Sequence, residues 1–121
     1  MPGLSYQKTG GAPSAEYQKG FSELLRGLIT YPVRTAGVDV LVTVDRPMIE
    51  TPILLSDKGA AVTVLNWTGE GPQKVELTVK VPFTAKSVES MKRGKLNFEQ
   101  TDENVHFALP LDAVDIIVIK P

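Results

Sequence analysis

Val75-Glu76-Leu77-Thr78-Val79-Lys80-Val81 sets aliphatic side chains at every second position and polar ones between them. Successive side chains of a β-strand point to opposite faces, so this stretch reads as a strand with one face on a core and the other in water. A helix would scatter the same valines around its circumference. Gly69-Glu70-Gly71-Pro72 ahead of it carries the residue types of a turn. Further back, residues 60–66 (Ala-Ala-Val-Thr-Val-Leu-Asn) are apolar on both faces, the pattern of a strand buried from two sides. Ser56-Asp57-Lys58-Gly59 suits a hairpin turn, with Gly59 free to take a positive φ. Residues 48–56 form a preceding strand in which Pro52, having no N–H to donate, marks an edge, a bulge or a strand start. Val38, Val40, Val42 and Val44 share one face of a first strand, opposite Asp39 and Thr43.

The same grammar continues toward the C-terminus. Residues 86–91, the turn Lys92-Arg93-Gly94-Lys95, and a return strand with Leu96 and Phe98 facing away from Asn97 and Glu99 read as a hairpin. After a turn at Thr101-Asp102-Glu103-Asn104, the side chains of Val105, Phe107 and Leu109 point one way and His106 the other. Residues 113–120 contain Ile116-Ile117-Val118-Ile119, a second run of the doubly covered kind. About seven to eight strands joined by short turns predict a mainly β fold, an antiparallel immunoglobulin-like β-sandwich.

One helix precedes it. Residues 1–13, rich in Gly, Pro, Ser and Thr, favour loop, and Ser14 with Glu16 makes a helix start. Tyr17, Phe21, Leu24, Leu25 and Leu28 then form one apolar stripe, weakened by Gly20 and Gly27, that needs something to dock on; the sandwich is its expected partner. Tyr31-Pro32 is the expected end, because proline cannot continue the ladder of hydrogen bonds. The chain therefore divides into a loop and helix segment, residues 1–36, and a sandwich domain, residues 37–121.

The 121 residues suit one compact core, and 13 Lys and Arg against 14 Asp and Glu leave a net charge of -1, which gives no basic field for nucleic acid. Without cysteine there is neither a disulfide nor a thiolate nucleophile or ligand. No apolar run reaches the ~20 residues of a membrane span, and the first residues lack the layout of a signal peptide. The chain reads as soluble, with no membrane partner and its compartment open.

Reactive constellations are sparse. His106 is the only histidine, on the polar side of its strand, with no second histidine or cysteine to complete a metal set. Asp112 with Asp115, and Asp102 with Glu103, are acidic pairs at turns, where carboxylates ordinarily serve local hydrogen bonds, and their spacing matches no calcium motif. Lys92, Arg93 and Lys95 cluster at a hairpin tip. No catalytic residue, metal ligand or cofactor follows from these sets, and the chain is read as not an enzyme. Trp67, the sole tryptophan, stands where a core strand meets a Gly-rich turn, able either to cap the core or to stack on a sugar ring. Tyr31 or Phe98 would supply the second aromatic of such a platform. Asn66-Trp67-Thr68 also fits a glycosylation acceptor, relevant only in a eukaryotic secretory setting.

Pro2-Gly3-Leu4-Ser5-Tyr6 before a short helix, together with the run from Glu50-Thr51-Pro52-Ile53-Leu54-Leu55 through Ser56-Asp57-Lys58-Gly59 to Asn66-Trp67-Thr68-Gly69, resembles the carboxyl end of large bacterial glycoside hydrolase-like proteins. These are similar to β-galactosidases with a trimerisation domain, whose order is catalytic barrel, flavodoxin-like trimerisation domain and terminal β-sandwich. The resemblance implies that residues 1–36 correspond to the tail of the middle domain and the remainder to the sandwich. The catalytic carboxylates of such proteins belong to the barrel, so no glutamate here inherits that role. It further implies a non-catalytic accessory domain, partnered by the other domains of a larger protein and by polysaccharide. Two alternatives stand beside it: a carbohydrate-binding module, and a protein–protein or oligomerisation module pairing through an edge strand near Pro52 or through the helix stripe.

Overall fold

A computed structural model of the chain describes residues 23–121. The expected loop over residues 1–13, the helix start at Ser14 and the stripe members Tyr17 and Phe21 lie outside the described residues. Of those described, residues 23–39 and 68–70 belong to one compact unit, and residues 40–67 with 71–121 to a second.

The first unit contains helix α1, Glu23–Thr35, which runs through Pro32 rather than ending there. Proline forfeits only its own hydrogen bond to the preceding turn, and the ladder resumes beyond it, with the Ala36 amide donating to the Pro32 carbonyl at 2.9 Å. Thr35 Oγ1 donates to the Tyr31 carbonyl at 3.0 Å. The helix stops at Gly37, whose φ of 67° is the left-handed cap conformation that glycine adopts without strain. Its apolar residues Leu24, Leu28 and Tyr31 are exposed.

The second unit is a β-sandwich of two antiparallel sheets. Its strands are β1 (Val42–Val44), β2 (Ile49–Glu50), β3 (Ile53–Ser56), β4 (Gly59–Asn66), β5 (Gln73–Lys80), β6 (Ser87–Ser90), β7 (Gly94–Lys95), β8 (Phe98–Thr101), β9 (Asn104–Leu111) and β10 (Val114–Lys120). A four-stranded sheet has the order β1-β5-β9-β8, and a six-stranded sheet the order β2-β4-β10-β6-β7 with β3 also on β4. The core lies between them. Val75, Leu77 and Val79 of β5 and Val105, Phe107, Leu109 and Leu111 of β9 meet Val62 and Val64 of β4, Val88 of β6 and Ile117 and Ile119 of β10, all buried. The alternation expected for residues 75–81 and 105–109 is the one found.

Three expectations change in detail. The first strand spans only Val42–Val44, with Val38 and Val40 exposed ahead of it. Its partner accounts for this: Val42 pairs with Val79 and the Lys80 amide donates to the Leu41 carbonyl, and β5 ends there, so earlier residues have no ladder to join. The expected 86–98 hairpin divides between sheets. Gly94–Lys95 pairs with β6, the Leu96 amide donates to the Val88 carbonyl at 2.8 Å, and Phe98 begins β8 on the opposite sheet. Leu96 and Phe98 still both pack on the core, approaching it from the two sides of that crossover. The two strands expected to be covered on both faces, β4 and β10, are neighbours in the middle of the six-stranded sheet, and their outer sides are only partly covered.

The β3–β4 turn follows the sequence closely. Ser56 pairs with Gly59, the Lys58 amide donates to Ser56 Oγ at 3.2 Å, and Gly59 has a φ of 138°. A Cβ at Gly59 would also collide with the Ile119 carbonyl oxygen of β10, so glycine is required there twice over.

Candidate functional site

The outer side of the six-stranded sheet is built by the residues that alternate with its core positions. In β4 these are Ala61, Thr63 and Leu65, and in β10 Val114, Ile116 and Val118, which face them in register. Leu54 of β3 lies opposite Ala61, and Glu50 of β2 opposite Leu65. Leu54 is 77% exposed and Ile116 42% exposed, so this is an aliphatic face turned away from the core. A shallow groove on it runs among Leu54, Leu55, Ala61 and Val118.

Trp67 continues the β4 alternation just past the strand end and is 51% exposed at one end of this face. Its backbone amide donates to the Met48 carbonyl at 2.9 Å, and its indole Nε1–H donates to Glu50 Oε2 at 3.0 Å. The carboxylate occupies the indole's one polar donor and so restrains the ring. Of the other two aromatics expected to accompany it, Phe98 is half-buried and packs on the core from the four-stranded sheet. Tyr31 is exposed on α1. Glu50, distant in sequence, was not legible as the indole's partner; the register of β2 on β4 brings it there.

The acidic pairs have local work. Asp115, 3% exposed, accepts from Ser90 Oγ at 2.5 Å and from its neighbour's amide on Ile116 at 2.8 Å. Ser90 Oγ accepts from the Arg93 amide at 2.9 Å, so the carboxylate anchors the β6–β7 turn. Asp112 pairs with Arg93 at 3.3 Å on the surface of the same turn. Glu103 sits 3.7 Å from Lys80, and the Asp102 carbonyl accepts from Gln100 Nε2. His106 lies on the outer side of the four-stranded sheet, with Nδ1 3.1 Å from Thr78 Oγ1. Among the described residues no three His, Asp or Glu side chains gather as a metal site. Asn66 Nδ2 donates to the Asp112 carbonyl at 2.8 Å, which ties down the nitrogen a glycan would occupy.

No protein-family model matches the chain, and no curated protein matches it significantly. Among solved structures it is similar to α-L-fucosidase isoenzyme 2 from Paenibacillus thiaminolyticus, with a TM-score of 0.64 over 88% of this chain at 16% sequence identity. The chain spans 19% of the length of that fucosidase chain. At this identity the likeness is one of fold: a β-sandwich that also occurs as a minor part of a larger polypeptide. No helix among the described residues is long and apolar enough to cross a membrane.

Proposed function

We propose that this chain is a non-catalytic accessory domain of a carbohydrate-active, glycoside hydrolase-like protein, seated against another domain of that protein through the outer side of its six-stranded sheet. The observation that carries the reading is the aliphatic face of β4 and β10, whose sequences are apolar on both sides while only one side meets the core. A stretch of Leu, Ile and Val around Thr63, with one tryptophan at its end and the Lys120–Glu89 pair at its border, suits another packed protein surface better than a sugar, whose recognition favours flat aromatic platforms and free polar donors. The fold likeness to a fifth or so of a fucosidase supports the setting. It supports a glycoside hydrolase context in general, with no preference for a β-galactosidase.

The test has two arms. Purified chain assayed with aryl fucosides and aryl galactosides is expected to show no turnover, and turnover at an enzymatic rate overturns the non-catalytic part. The coding region flanking the chain is expected to specify a glycoside hydrolase catalytic domain, in frame or adjacent, and unrelated neighbours on both sides overturn the accessory part.

The exposed indole favours one second reading, a carbohydrate-binding module in which Trp67 stacks on a sugar ring beside Glu50, a hydroxyl acceptor. Titration with galactans, xylans and glucans separates the two: tryptophan fluorescence that responds saturably supports the module, and an unchanged signal removes it.

A further inference from the structure

The outer side of the six-stranded sheet is not level. Along β4 it is formed by Ala61 and Thr63, short side chains between longer ones: Leu54 and Val118 face Ala61 from the two neighbouring strands, and Ile116 faces Thr63. The groove among Leu54, Leu55, Ala61 and Val118 is the open end of this trough, and Leu65 stands at the other. Adjacent strands lie about 4.8 Å apart, so the walls on β3 and β10 are about 10 Å apart across β4, the width of one helix with its side chains. The two ends differ in charge. Toward the β3–β4 turn, Glu89 faces Val118, with Lys95 facing it in turn from β7 and Lys120 Nζ 3.3 Å from its carboxylate, two lysines against one glutamate. Asp57 and Lys58 of that turn cancel. At the other end Glu50 faces Leu65, while Arg93 and Asp112 cancel as an ion pair. The turn end is left net positive and the Leu65 end net negative.

We propose that the neighbour seated on this side is an amphipathic α-helix of the adjoining domain, laid along β4 with its apolar residues in the trough, its N-terminus over Glu50 and its C-terminus toward Lys120. The proposal rests on the accessory-domain reading and names the element that the other domain presents. A helix has a partial positive charge at its N-terminus and a partial negative charge at its C-terminus, so this orientation sets each end against its opposite. A strand, whose net dipole is small, would gain nothing from the difference between the two ends. Shape argues the same way. The pleats of a second sheet would leave the floor at Ala61 and Thr63 without partner atoms, whereas the ridge of a helix fills it.

The probe is a lactam-stabilised amphipathic peptide of about 14 residues with blocked ends, a leucine stripe and one nitroxide at its first or its last residue. The chain has no cysteine, so the thiol-attached label stays on the peptide while the amide resonances of the full 121-residue chain are followed. Saturable binding is expected, with the N-terminal label broadening the Leu65 and Trp67 amides most and the C-terminal label those of Ala61 and Lys120. Ala61→Leu makes the face more apolar yet fills the trough, and is expected to weaken binding about tenfold. Thr78→Leu, on the other sheet, should leave binding unchanged. Exchanging the charges with Glu50→Lys and Lys120→Glu together should reverse the broadening pattern, circular dichroism confirming the fold of each variant. A peptide that does not bind overturns the proposal. So does tighter binding to Ala61→Leu, broadening of both ends alike by either label, or an orientation that survives the charge exchange. These results leave the accessory-domain reading standing, since that falls on unrelated coding neighbours.

Discussion

The outer side of the four-stranded sheet carries Thr78 hydrogen-bonded to His106, Glu99 opposite that histidine, and the Lys74–Glu76 and Lys80–Glu103 ion pairs. The outer side of the six-stranded sheet has an ion pair of its own toward β6, Lys120–Glu89, but over β3, β4 and β10 it carries Leu54, Leu65, Val114, Ile116 and Val118 around Thr63. Both sheets close on the same core, so the requirement to fold does not distinguish their outer sides. Water is a sufficient neighbour for the first, whose polar groups pair with one another or with solvent. For the second it is a poor one, because each exposed aliphatic side chain forgoes the roughly 25 cal/mol per Å² that burial would return. Selection for folding alone would allow lysine or threonine at Ile116; docking on another domain, as proposed, would account for the aliphatic residues.

The sharpest way to break this contrast uses two adjacent residues of β10. Ile117 is fully buried, and Ile116 is exposed on the other side of the same strand. Ile117→Ala is expected to cost about 2–5 kcal/mol, the range for truncating a core isoleucine, while Ile116→Ala in the isolated chain should cost well under half of that. Urea unfolding of both variants measures it. Equal losses would mean that the outer side is already packed, and the contrast between the two faces would disappear.

Next in size is the indole at the end of the apolar face. Glu50→Ala removes the acceptor of the Trp67 Nε1–H, and because the pair is exposed to solvent the expected loss of stability is about 1 kcal/mol or less. The ring, no longer held by the carboxylate, should be quenched more readily by acrylamide. Quenching that stays the same in Glu50→Ala would show that the apolar neighbours alone fix the ring, making the tryptophan a packed member of the face rather than its polar rim.

The division between legible and illegible parts follows the same contrast. Strands β5 and β9 could be read directly because one side is apolar and the other polar, and a period of two then names both strand and face. For β4 and β10 the run of apolar residues revealed burial but not which side would meet the core; register on neighbouring strands decides that, and register is not local. Pro32 predicts an earlier helix end than the one found, because Gly37, farther along the chain, supplies the left-handed cap that the backbone uses. Trp67 could be singled out by its type and its place before a turn, yet Glu50 could not be joined to it, since only the β2–β4 ladder brings the two together.

The smallest expected effects lie on the polar side, and they sharpen the contrast by their smallness. Thr78→Ala removes the hydroxyl next to His106, and Glu103→Ala removes the partner of Lys80, from a surface where water replaces each lost contact. Each is expected to change stability by no more than about 0.5 kcal/mol, the usual range for surface substitutions and exposed ion pairs. Thermal melts of both variants at low and at high salt measure it, with any effect of Glu103→Ala shrinking as salt screens the pair. A loss of several kcal/mol from Thr78→Ala would mean that its hydroxyl belongs to a buried polar network. The four-stranded sheet would then have an outer neighbour of its own, and the asymmetry from which the docking face was inferred would no longer single out β4 and β10.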